Sequence, residues 1–369
     1  MPDSIRQALA LAAQSLVLTS PNPRVGCILV NAEGIVLGQG HTQQAGGPHA
    51  EIMALRDAAA KGHAVIGATA WVTLEPCSHY GRTPPCCDAL IAAGIKKVVA
   101  SIADPNPLVS GRGFGRLRAA GIAVETGPGA NDARELNIGF FSRMIRKTPW
   151  VRLKIAASLD GKTALCNGVS QWITSAPARL DGHLWRARAC AVLTGIGTVL
   201  HDNPRLDVRG VDTPRQPHLV VVDSRLETPL DAQLFTPKRV VLIYAAVPND
   251  AKQAALEARG ATVIYCPSLQ PGRECKVDLS AMLKDLARRE INELHVEAGQ
   301  TLNGSLLTEG LVDEIVTYLA PKLVGLGRDM ALLGPFSDLA AAVPLVFRSV
   351  ENIGPDIRVV ARIEGRDLF

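Results

Sequence analysis

The sequence predicts an α/β protein that is divided into two domains. Its 369 residues are enough for two domains of ordinary size. Short β-branched runs alternate with segments of helical periodicity, as in proteins whose helices pack on a sheet. This alternation starts afresh after the basic, proline-containing segment 146–149 (RKTP). We therefore predict one domain at 1–146 and a second at 147–369.

The pattern of residues in the first half predicts a helix, then a β-hairpin, and then strands that alternate with helices. Apolar runs on both sides of the turn at 31–34 (NAEG) predict the hairpin strands. The period of the apolar residues then predicts strands at 25–30, 35–38, 70–74, 97–102 and 122–125, and helices at 1–18, 49–61, 87–93, 115–120 and 131–145. We interpret segment 111–115 (GRGFG) as a flexible loop, because it follows a turn rather than a strand.

The second half repeats the alternation and closes with an antiparallel pair. The predicted elements are strands at 151–156, 191–194, 219–222, 240–244, 262–265 and 294–297, helices at 178–187 and 279–289, and the closing strands 347–350 and 357–363. After the strand at 294–297, the chain meets Gly299 and enters a helix that carries Leu306 and Leu307. Such a junction offers free main-chain N–H groups to a phosphate.

Composition argues against several classes of protein. Charged residues make up 20% of the chain, the net charge is +4 and aromatic residues make up 4%, with no basic run of the kind that binds nucleic acid. The N-terminal segment lacks the pattern of a signal peptide, and no apolar stretch is long enough to cross a membrane. We expect a cytoplasmic protein that binds neither nucleic acid nor membranes; a homo-oligomer is compatible with this composition.

The cysteines predict a metal site rather than disulfides. Eight cysteines are too sparse and uneven for a disulfide framework, and three of them fall within 77–87. His49 begins a helix, Cys77 follows a strand and Cys86 opens the next helix. One imidazole and two thiolates fill three corners of a zinc tetrahedron and leave the fourth for water. We predict one zinc ion per chain.

Glu51 is the predicted catalytic residue of this site. It stands two residues after His49 and, as a carboxylate that does not bind the metal, can carry protons to the substrate nitrogen and to the leaving ammonia. A lone His-Ala-Glu triplet is common, and two cysteines at this spacing are also found as buried core thiols. The three parts in this order favour a zinc deaminase.

The loop between the two cysteine ligands is longer than in nucleic-acid and free-base deaminases, where two residues separate them. Here eight residues, 78–85 (SHYGRTPP), do so. The histidine, arginine and hydroxyl groups of this loop predict that it binds a polar, phosphorylated substrate. Cys87 is interpreted as a bystander, and the remaining cysteines as structural: Cys27, Cys166, Cys190, Cys266 and Cys275.

These motifs resemble the bifunctional deaminase/reductase family of riboflavin biosynthesis. The resemblance in the first half is carried by residues 20–26 (SPNPRVG), 46–51 (GGPHAE), 73–86 (TLEPCSHYGRTPPC) and 104–107 (DPNP). It implies a cytidine-deaminase-like α/β/α fold for the first domain. It also implies that the pyrimidine and ribose-phosphate pocket is lined by Asn22, His79, Asp104 and Asn106.

The second half resembles the reductase of the same family. The matching segments are 154–162 (KIAASLDGK), 170–174 (SQWIT), 195–206 (GIGTVLHDNPRL) and 296–299 (VEAG). The resemblance implies a fold similar to dihydrofolate reductase, with NADPH as cofactor. The family has a proline or glycine at the position of Gln300. A Rossmann dehydrogenase is the weaker alternative, because its glycine fingerprint is absent at this junction.

The resemblance also implies two sets of residues in the reductase. The set expected to contact NADPH is Ala156, Trp172, Thr198, Asp202, Ser224, Gly299, Gln300, Thr301, Leu302, Asn303, Gly304 and Ser305. The set expected to contact the substrate is Ser170, Arg186, Leu206, Arg209 and Glu297. Without the resemblance, Arg186 would be interpreted as a residue on a solvated helix face, and Trp172 as a core residue.

The implied chemistry is deamination of a diamino-ribosylamino-pyrimidinone 5′-phosphate, followed by NADPH-dependent reduction of its ribosyl group to ribityl. Lys154 or Asp202 is expected to handle protons in the second step. Two rival interpretations belong to other classes. A nucleic-acid base deaminase with an appended binding domain would need a basic and aromatic path for its strand. A zinc-stabilised binding protein would not need Glu51.

Overall fold

The computed structural model describes residues 1–79, 84–107 and 109–369, which form two compact units. One unit comprises residues 1–147 with Phe369, and the other comprises residues 148–368. The elements of the first unit are α1 (Asp3–Ala13), β1 (Gly26–Val30), β2 (Val36–His41), α2 (Ala50–Ala60), β3 (Thr69–Val72), α3 (Cys86–Ala92), β4 (Lys97–Ala100), α4 (Arg112–Ala119), β5 (Ala123–Thr126), α5 (Ala130–Leu136) and α6 (Ile138–Arg146).

The first unit is a sheet between two layers of helices. Its strand order is β2-β1-β3-β4-β5, with β1 antiparallel to β2 and β3, and with β3, β4 and β5 parallel. Side chains alternate along β1: Cys27 and Leu29 pack in the cluster that includes α2, whereas Ile28 packs in the cluster that includes Ala8 of α1. This alternation explains the α/β/α layers and confirms the predicted hairpin and fold class.

The prediction of a flexible loop at 111–115 was wrong. Helix α4 begins at Arg112, after Gly111 in a left-handed conformation at φ 75°. The first turn is capped by Glu75, whose buried carboxylate accepts the main-chain N–H groups of Gly111, Gly113 and Phe114 at 2.9–3.3 Å. A carboxylate at a helix N-terminus satisfies donors that the helix cannot, which compensates for the poor helix propensity of the glycines.

The helix predicted at 131–145 is divided into α5 and α6. The break lies at Asn137, whose side chain accepts the N–H of Arg24 at 2.7 Å and donates to the carbonyl of Arg24 at 2.9 Å. Asn137 is buried, so both bonds are shielded from water. The tertiary contact therefore outweighs the local helical periodicity.

The second unit begins with β6 and contains most of the parallel strands. Its elements are β6 (Trp150–Ser158), β7 (Lys162–Leu165), α7 (Ala176–Arg188), β8 (Ala191–Gly195), α8 (Ile196–Asp202), β9 (His218–Val222), β10 (Val241–Ala245), α9 (Asp250–Ala258), β11 (Ala261–Tyr265), α10 (Leu279–Arg288), β12 (Glu293–Val296), α11 (Gln300–Thr308), β13 (Glu314–Ala320), β14 (Gly327–Asp329), β15 (Leu345–Ile353) and β16 (Asp356–Ile363).

These strands form one large sheet in the order β11-β10-β9-β8-β12-β6-β13-β16-β15, with β7 and β14 forming a separate pair. Neighbours from β11 to β13 are parallel, and β13-β16-β15 are antiparallel, which confirms the closing pair. On one face Leu193 packs with Met282 of α10 and Leu306 of α11. On the other, Val192 packs with Val199 of α8 and Leu256 of α9.

Strand β13, which completes the parallel part of the sheet, was missing from the predicted elements. Its residues alternate strictly between buried and half-buried positions, but Glu314 is among the buried ones and Ile315 and Leu319 are among the half-buried ones, so the sequence shows no clear period of two. Within the described part of the chain, no helix is long and apolar enough to cross a membrane.

Candidate active sites

Three predicted metal ligands meet in the first unit. His49 is the residue before α2, Cys77 lies on the loop after β3, and Cys86 is the first residue of α3. The Nδ1 atom of His49 lies 3.5 Å from the Cys77 Sγ and 3.3 Å from the Cys86 Sγ. Among residues 1–79, 84–107 and 109–369, this is the one group of three such side chains close enough to hold a metal ion.

The spacing of these three atoms fits zinc. Bond lengths of about 2.0–2.1 Å to nitrogen and about 2.3 Å to sulfur place such ligands about 3.6 Å apart at the tetrahedral angle. The observed separations are within a few tenths of an ångström of that value. The Cys86 N–H also donates to the Cys77 Sγ at 3.2 Å, which stabilises a thiolate there. One nitrogen and two sulfurs leave a fourth position open.

Glu51 lies beside this cluster in the first turn of α2 and is 3% exposed. Burial raises the pKa of Glu51 to about 7; the neighbouring Cys77 adds to the rise, and His49 opposes it. A carboxyl group whose pKa is near neutrality can both accept and release a proton. The structure therefore places a carboxyl group with a near-neutral pKa next to the three ligand atoms.

Glu75 organises the loops around Cys77, a role that sequence reasoning missed. Besides capping α4, its carboxylate accepts the main-chain N–H of Asp104 at 3.1 Å. A Cβ at position 113 would lie 2.2 Å from the carbonyl oxygen of Pro76, so only glycine fits against the ligand loop there. The buried carboxylate thus joins the loop of Cys77, the loop of Asp104 and helix α4.

The predicted substrate residues of this unit are only partly brought together. Asp104 accepts the N–H of Asn106 at 2.8 Å. Burial raises the pKa of Asp104 to about 6, and His79 lies close enough to oppose that rise. Asn22 is half-buried between α1 and β1, and among the described residues its side chain makes no hydrogen bond. Tyr80, Arg82 and Thr83 of the loop predicted to bind the substrate lie outside the described residues.

The other cysteines are free thiols in varied environments. Cys87 points away from the ligands, donating to the carbonyl of Pro76 at 3.2 Å, in keeping with its interpretation as a bystander. Cys27 and Cys190 are buried and Cys266 is half-buried. Cys166 and Cys275 are exposed, which does not support their interpretation as structural residues.

A cavity of about 1460 Å³ lies within the second unit. It is lined by Ala156 of β6 and by the residues that follow β8, β9 and β12, among them Thr198, Ser224 and Glu297. Because these strands are parallel, their carboxyl ends meet at one edge of the sheet, where α/β proteins bind ligands. This explains how residues far apart in the sequence come to share one cavity.

Nearly all the residues expected to contact NADPH or the substrate line this cavity. They are Ala156, Ser170, Trp172, Arg186, Thr198, Asp202, Leu206, Arg209, Ser224, Glu297, Gly299, Gln300, Thr301, Leu302, Asn303 and Ser305. Gly304 instead faces the chain at Leu332, whose carbonyl oxygen would lie 2.1 Å from an added Cβ. The Asn303 side chain is 2% exposed and donates to the Met330 carbonyl at 2.8 Å.

A cluster of half-buried charged side chains lies in the cavity wall. Arg186 holds the Glu297 carboxylate through two hydrogen bonds, and the Lys154 Nζ lies 3.7 Å from Glu297 Oε2. Burial alone would raise the pKa of Glu297, but the charges of Arg186 and Lys154 hold it well below its usual value. Burial also lowers the pKa of Lys154. Arg186 is therefore not on a solvated helix face, as it would be read by itself.

Trp172 lies at the cavity rather than in the core. Its side chain is 64% exposed, and the guanidinium of Arg179 lies 4.4 Å above its ring. An exposed indole that lines a cavity offers a flat surface to a ligand. Asp202 is exposed, and its carboxylate accepts the Ser170 hydroxyl at 3.5 Å.

Asp207 fixes the arginines beside the cavity. Its buried carboxylate pairs with Arg209 and with Arg205, the latter at 2.7 Å, while its carbonyl accepts from Arg186 at 2.9 Å. Leu206 is 4% exposed and packs in the core. The sequence signal for Asp207 was weak, because a single aspartate between two arginines is common on surfaces.

The N-terminus of α11 opens on the cavity. Gly299 precedes the helix, and no side chain caps its first N–H groups among the described residues. Gln300 accepts the N–H of Asp329 at 2.7 Å and so ties the start of the helix to β14. The side chain that replaces the proline or glycine of the family thus has a local partner.

Two family models match separate parts of the chain. Residues 149–359 match the family model described as the RibD C-terminal domain, and residues 3–102 match the cytidine and deoxycytidylate deaminase zinc-binding region. The riboflavin biosynthesis protein RibD of Escherichia coli K12 is 44% identical over 95% of this chain and 96% of its own. RibD of Aquifex aeolicus is 41% identical over 96% of both chains.

Solved structures agree. RibD of Acinetobacter baumannii superposes with a TM-score of 0.88 at 40% identity, covering 98% of both chains. The diaminohydroxyphosphoribosylaminopyrimidine deaminase/5-amino-6-(5-phosphoribosylamino)uracil reductase of Thermotoga maritima gives a TM-score of 0.84 at 32% identity, again over 98% of both chains. These matches confirm the cytidine-deaminase-like and dihydrofolate-reductase-like folds. The chain therefore belongs to the RibD family of bifunctional deaminase/reductase enzymes of riboflavin biosynthesis.

Proposed function

We propose that the chain deaminates 2,5-diamino-6-(5-phosphoribosylamino)pyrimidin-4-one in its first unit and reduces the ribosyl group of the product in its second. The observation that carries the proposal is the buried Glu51 beside the His49, Cys77 and Cys86 cluster. A binding protein without catalysis has no need of a buried carboxyl group at that point. The name of the Thermotoga maritima relative, a diaminohydroxyphosphoribosylaminopyrimidine deaminase and 5-amino-6-(5-phosphoribosylamino)uracil reductase, supports the choice of substrate.

In the first unit, His49, Cys77 and Cys86 would hold zinc. Zinc bound there would lower the pKa of the attacking water toward neutrality. Glu51 takes a proton from that water and passes it to the ring nitrogen as the water oxygen adds to the amino-bearing carbon. Glu51 then takes the remaining proton from the newly added hydroxyl group and delivers it to the exocyclic amine, which leaves as ammonia while the ring carbon becomes a carbonyl.

Residues around this cluster would orient the substrate. Asp104 and Asn106 lie on one loop, and Glu75 fixes that loop through the Asp104 N–H at 3.1 Å. We assign Asp104, Asn106, His79 and Asn22 to the pyrimidine and ribose-phosphate pocket. Asp104 can accept hydrogen bonds from the amino groups of the ring, and His79 can donate to the phosphate.

In the second unit, the cavity would hold NADPH and the deaminated product together. Bound NADPH supplies the hydride. The open N–H groups at the start of α11 suit the cofactor's pyrophosphate, and the exposed Trp172 face suits a flat ring. The residues we assign to the cofactor are Ala156, Trp172, Thr198, Asp202, Ser224, Gly299 to Asn303 and Ser305, whereas Gly304 packs against the main chain at Leu332.

Ser170, Arg186, Leu206, Arg209 and Glu297 would bind the product, with the arginines facing its phosphate. The ribosylamine opens to a Schiff base, hydride adds to C1′, and the imine nitrogen needs one proton. We assign that proton to Lys154 rather than to Asp202. Lys154 lies half-buried beside Glu297 and has a lowered pKa, whereas Asp202 is exposed.

We further propose that this enzyme binds a phosphorylated small molecule rather than nucleic acid or a membrane. We also propose that the enzyme works in the cytoplasm. The eight free thiols support a reducing compartment. The low aromatic content, 4%, and the lack of a basic run support a small-molecule substrate.

The test is to follow ammonia release and NADPH oxidation with the purified full-length chain. We expect ammonia from the diamino-ribosylamino-pyrimidinone phosphate and none from tRNA or single-stranded DNA. NADPH oxidation should begin only after deamination. Ammonia release from nucleic acid alone would favour the rival base deaminase, and release from no substrate would favour a binding protein.

A further inference from the structure

His183 lines the reductase cavity, although neither set of predicted site residues includes it. It lies on α7 three residues before Arg186, and residues at this spacing share one face of a helix. Its side chain is half-buried. His183 therefore stands on the same wall of the cavity as one of the two arginines assigned to the substrate.

The hydrogen bond at Nδ1 of His183 determines whether Nε2 carries a proton. The main-chain N–H of Arg209 donates to the Nδ1 of His183 at 3.2 Å. A nitrogen that accepts a hydrogen bond carries no proton, so in the neutral ring the proton is on Nε2. Among the described residues, Nε2 has no hydrogen-bond partner. The side chain thus brings a free donor to the cavity.

The surroundings keep this ring neutral. Burial, together with the charges of Arg186 and Arg209, lowers the pKa of His183 to about 4. Glu297 and Asp207 oppose the shift, but both are already paired with those arginines. His183 is thus a neutral donor between two cations, an arrangement that suits an anionic, hydroxyl-rich ligand.

We propose that His183 is a further substrate-binding residue of the reductase, with its Nε2–H donating to the sugar-phosphate part of the substrate. This inference rests on the proposed function, which puts that part of the substrate against Arg186 and Arg209. The competing explanation is that His183 only anchors the loop of Arg209 through Nδ1.

Two substitutions separate these explanations in the full-length protein. In His183→Asn the amide oxygen replaces Nδ1 and keeps the Arg209 bond, but no donor reaches the position of Nε2. In His183→Gln the amide nitrogen replaces Nε2, but the acceptor for the Arg209 N–H is lost. We measure kcat, the KM for the deaminated substrate and the KM for NADPH, and we titrate ribose 5-phosphate by calorimetry.

We expect His183→Asn to raise the substrate KM and the ribose 5-phosphate Kd at least about tenfold, the loss typical of a hydrogen bond to a charged group. The KM for NADPH should stay within about twofold, and His183→Gln should resemble the wild type. The proposal is overturned if His183→Gln binds the substrate and ribose 5-phosphate more weakly than His183→Asn does. It is also overturned if both variants bind like the wild type, or if both are equally impaired. If the wild type fails to reduce the substrate, the proposed function falls, and the ribose 5-phosphate titration still tests His183.

Discussion

The Nη2 atom of Arg186 lies 2.9 Å from the Oε2 atom of the half-buried Glu297 carboxylate, and a second hydrogen bond joins the two side chains. Glu297 also neutralises Lys154, so one carboxylate balances two cations in the cavity wall. The charge of Glu297 therefore matters both for the stability of the second unit and for the proton that we assign to Lys154.

Replacing Arg186 by methionine should lower the free energy of unfolding by about 3–5 kcal/mol, because it removes the main partner of a carboxylate that is only 12% exposed. Urea denaturation measures the change. The double variant Arg186→Met/Glu297→Gln should lose less unfolding free energy than the two single variants lose in sum. Additive losses would mean that the two side chains do not interact as the structure indicates.

The same pair predicts a pH dependence of stability. The pKa of Glu297 is held well below 4.5, so its stabilising effect is complete above about pH 4.5. The effect is lost as the pH falls from there through the lowered pKa of the folded state. The difference in unfolding free energy between the wild type and Glu297→Gln should therefore be constant from pH 5 upward and shrink in acid. A constant difference down to about pH 2 would contradict this assignment.

The purified protein should contain about one zinc ion per chain. Elemental analysis should show loss of the metal in Cys77→Ser combined with Cys86→Ser, because hydroxyl groups are poor replacements for thiolates. Cys87→Ser is the matched control. Its thiol is buried next to a ligand but bonds the carbonyl of Pro76, so this variant should keep its zinc. Full zinc retention in the double variant would refute the site.

Glu51→Gln should keep zinc and fold while deamination falls by about 10²–10⁴ or more, because the amide has the same shape but carries no proton. Ammonia release measures the loss. Reduction of substrate that has already been deaminated should continue at the wild-type rate, since Glu51 belongs to the first unit. Near-normal ammonia release would reject the assigned role.

Glu75→Ala should destabilise the first unit by more than about 3 kcal/mol, because it leaves four main-chain N–H groups without their acceptor. Those groups belong to Asp104, Gly111, Gly113 and Phe114. Thermal unfolding gives the loss, and hydrogen exchange should locate it in α4 and the Asp104 loop. Glu75→Gln, which keeps one oxygen acceptor, should lose less. Unchanged exchange in α4 would show that the cap is dispensable.

We predict that the two activities separate at segment 146–149. A fragment that begins at Lys147 should fold and oxidise NADPH when given the deaminated ribosylamino-uracil phosphate, because the predicted reductase residues all follow this point. Comparing its rate with that of the full chain on the same substrate checks the prediction. An insoluble fragment from a stable full-length chain would require a different boundary.

The sequence by itself determined the parts that depend on local order. The period of apolar residues predicted most strands and helices, since burial on one face imposes that period. The ligands His49, Cys77 and Cys86 could be predicted because each lies next to its own strand or helix boundary. The reductase residues were implied by the resemblance to the family, and the structure brings them together at the carboxyl ends of parallel strands.

Only the tertiary structure decided the features that depend on partners distant in the chain. Helix α4 exists despite its glycines because Glu75, 36 residues before Gly111, accepts its first N–H groups. The break at Asn137 depends on Arg24, and the orientation of His183 depends on the main chain at Arg209. Buried hydrogen bonds between remote residues outweigh local propensity, and a single sequence does not say which remote residues will meet.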